Sequence, residues 1–308
     1  MLPQETQEKN QTWFIFDGPC GSFRTSRNFA ECGAVTASYC ESNLTGGLGG
    51  VQGQIRNLFN MVFPVFFVFW TLLLPLLVES TPSSQELFPT DCSDVYANGQ
   101  TLSGVYTIYP TADTPVQVYC DMGCRGSPTE DGNWMVFQRR MDGSVNFYRP
   151  WEQYKKGFGN KDGEYWLGLE NLYQLTRKRK YELKVDLQDF DGASVYARYS
   201  SFSVDSEAEG YKLHVSGFIN GGAGDSMATN NGQKFSTLDK DQDSYAEGNC
   251  AKSYFGGFWY SQCHNTNPNG IYLWGHDARY AIGNVWQHWK GYHYSLKYIA
   301  MKIRPVAQ

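Results

Sequence analysis

The stretch DKDQDSYAEGNCAKSYFGGFWYSQCH, residues 239–264, combines acidic, cysteine and aromatic residues within a short segment. Three carboxylates alternate with other polar residues at Asp239, Asp241 and Asp243. Oxygen ligands that converge from one short loop suit a hard cation such as calcium (Ca2+). The pattern therefore predicts a cation-binding loop, and the alternative is an acidic turn that is only solvated.

The acidic stretch does not follow the EF-hand pattern. With Asp239 as the first loop position, the sixth is Ser244, where an EF-hand requires glycine. The twelfth is Cys250, where an EF-hand requires a bidentate glutamate. A calcium site here would therefore need a different geometry, with backbone carbonyls completing the coordination shell.

The second half of the stretch predicts a small ring beside an aromatic surface. Cys250 and Cys263 are close enough in sequence to form a local disulfide in an oxidising compartment, and His264 follows directly. Five aromatic residues lie between the two cysteines: Tyr254, Phe255, Phe258, Trp259 and Tyr260.

The composition of the whole chain favours a loop-rich, mostly β fold with some helix. The chain has 308 residues, 16% aromatic residues and 32 glycines, and short aromatic and β-branched runs lie between the glycines. The net charge is −5 and no basic stripe is present, which argues against nucleic acid as a partner. The basic run at 177–180, RKRK, is interpreted as a solvated turn between two elements.

Residues 57–78 carry no charge and are long enough to span a bilayer. One interpretation is a cleaved signal peptide at 61–80, with residues 1–60 as a poorly ordered upstream extension. The other is a signal anchor, which would make the chain a type II membrane protein with an extracellular domain. We favour the signal peptide because residues 1–56 lack the excess positive charge expected on the cytosolic side of an anchor. Both interpretations place the C-terminal part outside the cytosol.

A polar linker is predicted at 81–90, and a globular domain at 91–308 is long enough to bury a good core. Five cysteines fall in this domain, so at least one has no partner within it. Cys92 with Cys120 and Cys250 with Cys263 are the natural local pairs, which leaves Cys124 for an interchain disulfide. The alternative pairs Cys92 with Cys124.

Several segments of the domain have clear strand or helix patterns. Strands are predicted at 105–110, 116–120 and 134–140, with Met141-Asp142-Gly143 turning the third into VNFYR at 145–149. A helix is predicted at 150–156, with Pro150 in its first turn. A long alternating strand at 181–190 and a turn at Asp191-Gly192 predict a hairpin with the following segment.

Taken together, the tryptophan, glycine and cysteine positions resemble a fibrinogen-related domain. The matching runs cover nearly all of residues 91–308 and include DCSDVYANG, VYCDM, DGEYWLGLENLYQLT, KFSTLDKDQD, NPNGIYLWG and WKGYHYSLKYIAMKIRP. The resemblance implies an α+β fold with a small N-terminal β subdomain, a central antiparallel sheet with helices, and a loop-rich calcium and ligand subdomain.

The resemblance also implies a calcium site. Asp241 and Asp243 would provide side-chain ligands, and backbone carbonyls near Tyr245 and Glu247 would complete the protein part of the shell. This chain departs from the family pattern here, because six residues separate Asp243 from Cys250 where the usual count is five.

An acetyl-binding pocket is a further implication of the resemblance. In this chain it would be lined by Tyr254, His264, Tyr280, Ala281 and Tyr292. The peptide bond between Gln262 and Cys263 would be cis. An acetyl methyl group suits a small aromatic cage in which Ala281 leaves room, and the acetyl carbonyl suits a backbone N–H near His264.

The resulting functional hypothesis is a secreted recognition protein of the extracellular matrix, not an enzyme. It would bind acetylated carbohydrates, extracellular-matrix fibre proteins such as elastic-fibre components, or both, in cell adhesion or innate recognition, as a disulfide-linked homo-oligomer. The alternative is a purely structural matrix protein with a vestigial acetyl pocket. Five histidines occur, but neither HExxH nor GxSxG accompanies them, which argues against an enzyme.

Overall fold

The computed structural model describes residues 88–111, 113–123 and 132–306. The predicted extension at 1–60, the signal segment at 61–80 and Cys124 lie outside these residues, so the corresponding predictions stay predictions. Within the three described ranges, no helix is both long enough and apolar enough to cross a membrane.

The described residues contain mostly strands, with short helices between them. In chain order the elements are α1 (Cys92–Ala97), β1 (Gly104–Thr111), β2 (Thr114–Asp121), β3 (Trp134–Arg140), α2 (Trp151–Lys156), β4 (Phe158–Gly159), β5 (Tyr165–Trp166), α3 (Leu169–Thr176), β6 (Tyr181–Gln188), β7 (Ser194–Val204), β8 (Leu213–Gly221), α4 (Cys250–Ser253), β9 (Gly275–His276), α5 (Gln287–Lys290), β10 (Tyr294–Ser295) and β11 (Tyr298–Pro305). Two single 3-10 turns, Glu207–Glu209 and Ala228–Asn230, flank β8.

One antiparallel sheet organises the domain. Among the described strands its order is β1-β2-β3-β11-β6-β7-β8, with β5 also pairing with β3 and β4 pairing with β5. The C-terminal strand β11 lies between β3 and β6, where Ile299 is paired with both Arg140 and Leu187. The end of the chain therefore joins the N-terminal strands to the central hairpin. The predicted sheet-dominated α+β fold is confirmed.

The strand predictions are confirmed where an alternating pattern is bounded by turn residues. The predicted strands at 105–110, 116–120 and 134–140 correspond to β1, β2 and β3. The predicted hairpin corresponds to β6 and β7, although β6 ends at Gln188. The predicted helix corresponds to α2, and Pro150 occupies its N-cap position.

The segment VNFYR at 145–149 follows the predicted turn without joining the sheet. The chain bends after β3, but the following segment forms no strand. The buried Glu164 carboxylate accepts the backbone N–H groups of Met141, Asp142, Gly143 and Val145. These donors are therefore unavailable for a ladder with a neighbouring strand.

The N-terminal part is held by a disulfide and by a helix cap. Cys92, at the start of α1, is bonded to Cys120 on β2, with Cα atoms 5.5 Å apart. This bond excludes the alternative pairing of Cys92 with Cys124. The Asp91 side chain accepts the N–H groups of Ser93 and Asp94 in the first turn of α1, and Arg179 from the basic run forms an ion pair with Asp91.

An aromatic core lies between the helices and the loops that follow β8. Tyr154, Trp166, Phe235 and Trp259 are fully buried, with neighbouring ring centroids 5.1–6.0 Å apart. Trp259 Nε1 donates to the carbonyl of Tyr211 at 2.7 Å. This packing fixes the backbone immediately before the segment that carries the candidate site.

Candidate functional site

The candidate site is a cavity of about 550 Å3 built from loops. The five residues predicted for an acetyl pocket, which come from three separate loops, all line it: Tyr254, His264, Tyr280, Ala281 and Tyr292. The remaining lining residues are polar, apart from Cys263. The structure thus brings together the five residues named from the sequence, while ligand binding by them stays a prediction.

The ring predicted from the two cysteines forms one side of the cavity. Cys250 begins α4 and is bonded to Cys263, with Cα atoms 5.5 Å apart. The Asn249 side chain caps α4 by accepting the N–H of Lys252 at 2.9 Å. The peptide bond between Gln262 and Cys263 is cis. Both Gln262 and Cys263 line the cavity.

His264 lines the cavity with only 8% of its surface exposed. Its ring packs against Tyr254, Tyr260 and Tyr292, with centroids 4.6, 5.7 and 6.3 Å away. Neither ring nitrogen has a geometrically sound hydrogen-bond partner among the described residues. Burial lowers the pKa of His264 to about 3. The nearby Ala281 backbone acts in the opposite direction and raises this pKa, but burial has the larger effect. The imidazole is therefore neutral at physiological pH.

Ala281 combines a small side chain in the cavity with an unusual backbone conformation. It is buried and has φ 63, in the left-handed region that residues other than glycine rarely adopt. Its N–H donates to the carbonyl of Tyr292 at 3.0 Å, which joins the two loops. Tyr280 is 55% exposed, and its ring lies 4.9 Å from that of Tyr292. No pattern in the sequence indicates this left-handed alanine.

The acidic loop separates into two parts with different roles. Asp239 Oδ1 accepts the N–H of Trp151, at the start of α2, at 2.8 Å and the hydroxyl of Thr237 at 2.7 Å. The Lys240 ammonium lies 3.7 Å from the centroid of the Trp151 indole. Asp239 therefore supports the start of α2, a role that the alternating pattern did not reveal.

Asp241 and Asp243 form the part of the loop that suits a cation. Asp243 Oδ2 accepts the N–H of Cys250 at 2.8 Å, and Asp243 Oδ1 accepts that of Tyr245 at 3.0 Å. Burial raises the pKa of Asp243; these two N–H groups oppose the shift, whereas the neighbouring Asp241 carboxylate adds to it. Two close carboxylates, one of them partly desolvated, are an arrangement that a divalent cation would stabilise.

The donor set of this loop is small but consists only of oxygen atoms. In the described ranges no group of three or more His, Cys, Asp or Glu side chains is arranged to hold a metal. Any calcium would therefore need backbone carbonyls beside Asp241 and Asp243. The Glu247 carbonyl accepts no hydrogen bond from the described residues, whereas the Tyr245 carbonyl accepts the N–H of Gly248 at 3.4 Å. Carboxylate and carbonyl oxygens fit calcium.

The polar lining of the cavity was not predicted. Its members are Thr229, Gln233, Ser244, Ser261, Gln262 and Asn265. Ser244 directly follows Asp243 and donates its N–H to the carbonyl of Ser261 at 3.2 Å. The acidic loop and the cavity thus share a hydrogen-bonded backbone. These polar residues come from separate segments and form no sequence motif, so no pattern could have identified them.

Comparison with known proteins gives consistent results over the described domain. The family model for the C-terminal globular domain of fibrinogen beta and gamma chains matches residues 88–306. Microfibril-associated glycoprotein 4 from Bos taurus is 53% identical over 238 residues, which cover 75% of this chain and 91% of that protein.

Two solved structures extend the comparison. The fibrinogen-like globe domain of human ANGPTL2 has a TM-score of 0.66 and 47% identity, covering 70% of this chain and 99% of that one. Lamprey fibrin D-dimer, complexed with the peptide ligand Gly-His-Arg-Pro-amide, has a TM-score of 0.66 and 31% identity, covering 78% of this chain and 84% of that one.

Proposed function

Because this chain belongs to the family of the C-terminal globular domain of fibrinogen beta and gamma chains, we propose that it is a secreted, calcium-dependent recognition protein for acetylated glycans. The observation that carries the proposal is the convergence of Tyr254, His264, Tyr280, Ala281 and Tyr292 on one cavity. Aromatic walls with a few placed polar groups are typical of small-molecule binding sites.

The cavity offers separate partners for the two ends of an acetyl group. The methyl group would pack against the rings of Tyr280 and Tyr292, above the small side chain of Ala281. The acetyl carbonyl would accept the N–H of Cys263 or His264, neither of which donates to a described residue. A neutral, buried His264 keeps this end of the cavity free of positive charge.

Calcium would act by holding the loop that borders the cavity. Asp241 and Asp243 would bind the ion through their carboxylates, together with carbonyls near Tyr245 and Glu247. The Asp243 carboxylate already accepts the N–H of Cys250, and Cys250 is bonded to the cavity residue Cys263. A bound ion would therefore fix the backbone that presents the acetyl-binding N–H groups.

The test is retention of the secreted protein on an acetylated resin in the presence of calcium. We expect elution by a chelator and by free acetate, and loss of retention in Tyr280→Ala. Tyr96→Ala is the matched control, because Tyr96 is exposed on α1 and does not line the cavity. Retention of the Tyr280→Ala protein would show that the pocket is wrongly located.

A second candidate function is binding to extracellular-matrix fibres. It is favoured by a relative whose name describes a microfibril-associated glycoprotein. Under this hypothesis the protein would bind matrix fibres without any effect of free acetate, and the acetyl pocket would be vestigial. The same resin experiment separates the two functions, because a vestigial pocket would not retain the protein.

A further inference from the structure

The strand β8 lies at one edge of the central sheet. Among the described strands, it pairs with β7 on one side and with no strand on the other. An edge strand presents unpaired N–H and C=O groups on its outer side, and these groups can pair with a strand of another chain. What covers the outer side of β8 therefore decides whether this strand can bind a partner.

The first part of β8 is covered by a neighbouring loop. Leu213 donates its N–H to the carbonyl of Gln233 and accepts the N–H of Gly232. Val215 donates its N–H to Asn231 Oδ1 at 2.9 Å. The outer side of β8 is thus closed as far as Val215.

A glycine separates the covered part of β8 from the rest. Gly217 has φ 72, in the left-handed region, and a Cβ atom there would lie 1.8 Å from Ser200 Oγ. Glycine is therefore required at this position. The pairing of β7 with β8 is interrupted at Ser200 and Gly217 and continues beyond them in the same register.

The hydrogen-bonding pattern of the sheet shows which backbone groups of β8 point outward. At the turn between β6 and β7 the N–H of Asp189 donates to the carbonyl of Ala193, so from this pair onward every second residue of β7 bonds to β6. Arg198 is one of the intervening residues and bonds to β8, where its partner is Ile219. The backbone of Ile219 is therefore directed toward β7.

The residues on either side of Ile219 have the opposite orientation. Backbone groups alternate between the two sides of a strand, so those of Phe218 and Asn220 point away from β7. No described residue accepts their N–H groups or donates to their C=O groups. The interruption at Gly217 thus shifts the outward-facing backbone from odd-numbered to even-numbered residues. Phe218 and Asn220 offer two donors and two acceptors on an open edge.

The surface around this open edge is uncharged and partly apolar. The segment 215–224, VSGFINGGAG, contains no charged residue and no proline. Ile219 is 48% exposed, and the exposed Tyr196 on β7 packs against Gly221, where a Cβ atom would lie 2.5 Å from the tyrosine ring. Natural proteins often protect exposed edge strands with lysine or proline. The open part of β8 lacks this protection, which favours pairing with another strand.

We infer that β8 pairs with β8 of a second copy of this chain, antiparallel across a twofold axis at Ile219. Phe218 of each copy lies opposite Asn220 of the other in this arrangement, and their backbones exchange four hydrogen bonds. The two Ile219 side chains meet at the axis, where directly opposite residues without mutual hydrogen bonds come closest. The next positions on that face are Gly217 and Gly221, which have no side chain to obstruct the contact. Because the edge is uncharged, a symmetric contact brings no like charges together.

The test is sedimentation equilibrium of the secreted protein from low micromolar to submillimolar concentration. A contact this short predicts weak, reversible association, so the mass found at the lowest concentration should double as the concentration rises. An interchain disulfide would raise the mass equally at every concentration, so the concentration-dependent step is the one that reports on β8.

Ile219→Lys should weaken the association at least about tenfold, because two ammonium groups would meet at the axis. Thr107→Lys is the matched control, because Thr107 is exposed on β1, at the opposite edge of the sheet. The control should associate like the wild-type protein.

A second variant tests the register of the pairing. Ile219→Cys places two thiols at the axis, where the Cα atoms of such a pair lie about 4.5 Å apart, a separation that a disulfide can bridge. We expect a covalent dimer after mild oxidation, seen on non-reducing gels, and no such increase over the wild-type protein in Thr107→Cys. A constant wild-type mass at all concentrations, or wild-type association of Ile219→Lys, would overturn the inference. Absence of the cross-link in Ile219→Cys would overturn the axis at Ile219.

Discussion

At the scale of single residues, His264 is the most unusual group in the site. Its two ring nitrogens are buried without a sound hydrogen-bond partner among the described residues, and buried polar atoms in folded proteins are nearly always paired. The family resemblance identified His264 from the sequence. Its neutral state could not be predicted, because it depends on burial by Tyr254, Tyr260 and Tyr292, which only the folded chain brings together.

The neutral state of His264 predicts a pH-dependent stability. The pKa of His264 is about 3 in the folded protein, while an unfolded histidine has a pKa near 6.5. The unfolded state therefore binds more protons between pH 6.5 and pH 3, so stability is full above pH 6.5 and falls as the pH drops. At pH 5 the loss attributable to His264 is about 2 kcal/mol.

The measurement is the free energy of unfolding of the wild-type protein and of His264→Gln at pH 8 and pH 5. The wild-type protein should lose about 2 kcal/mol more than the variant between the two pH values. The pH 8 values serve as the reference, because there the histidine is neutral in both states. An equal loss in both proteins would show that His264 is not the titrating group.

At the scale of elements, alternation and turn residues were sufficient for β1, β2, β3 and the β6–β7 hairpin, but not for β8, β11 or the loops. β1, β2, β3 and the β6–β7 hairpin were predicted because their patterns are local. The sequence does not reveal that the segment after β3 forms no strand, because the partner of its N–H groups, Glu164, lies about twenty residues later. A side chain that replaces a strand ladder leaves no periodic signal.

The role of Glu164 at this loop can be tested directly. Its side chain is fully buried, with an ion pair of 3.4 Å to the buried Arg140. Glu164→Gln should lower the free energy of unfolding by about 3–5 kcal/mol, because it leaves an uncompensated buried guanidinium. Chemical denaturation measures the difference.

Glu152→Gln is the control for the Glu164 variant. Glu152 forms an exposed ion pair with Lys156 on α2, so its replacement should cost less than about 1 kcal/mol. Similar losses in both variants would contradict a special role of Glu164.

At the scale of the whole molecule, the sequence was sufficient for the family and the sheet-dominated fold. The chain is, at a coarse level, an extracellular recognition protein of the fibrinogen type. The polar lining of the cavity was not predicted, because its residues are spread over residues 229–265 and form no sequence motif. The signal segment at 61–80 and the interchain disulfide through Cys124 lie outside the described residues and stay predictions.

Calcium should stabilise the whole domain. A ligand at a hundredfold excess over its dissociation constant stabilises the folded state by about 2.7 kcal/mol, which corresponds to a rise in Tm of about 5–10 °C for a domain of this size. Chelation should remove this increase in the wild-type protein, and Asp241→Asn should be insensitive to calcium. Differential scanning calorimetry with and without calcium measures both.

Asp162→Asn provides the matched control for calcium, because Asp162 lies on an exposed turn before β5. Its Tm should rise with calcium as much as that of the wild-type protein. The same Tm for the wild-type protein with and without calcium would contradict the proposed site.

The different roles of the aspartates in the acidic loop have a consequence for inherited variation in this protein. Asp239 supports the start of α2 through the N–H of Trp151, while Asp241 and Asp243 lie just before Ser244, which lines the cavity. A missense change at Asp239 would act through folding yield, so that cells release less protein. A change at Asp241 would leave this contact with α2 intact and, under the proposed function, would remove the effect of calcium on stability and recognition. Two codons separated only by that of Lys240 would therefore produce different defects, one independent of calcium and one that depends on it.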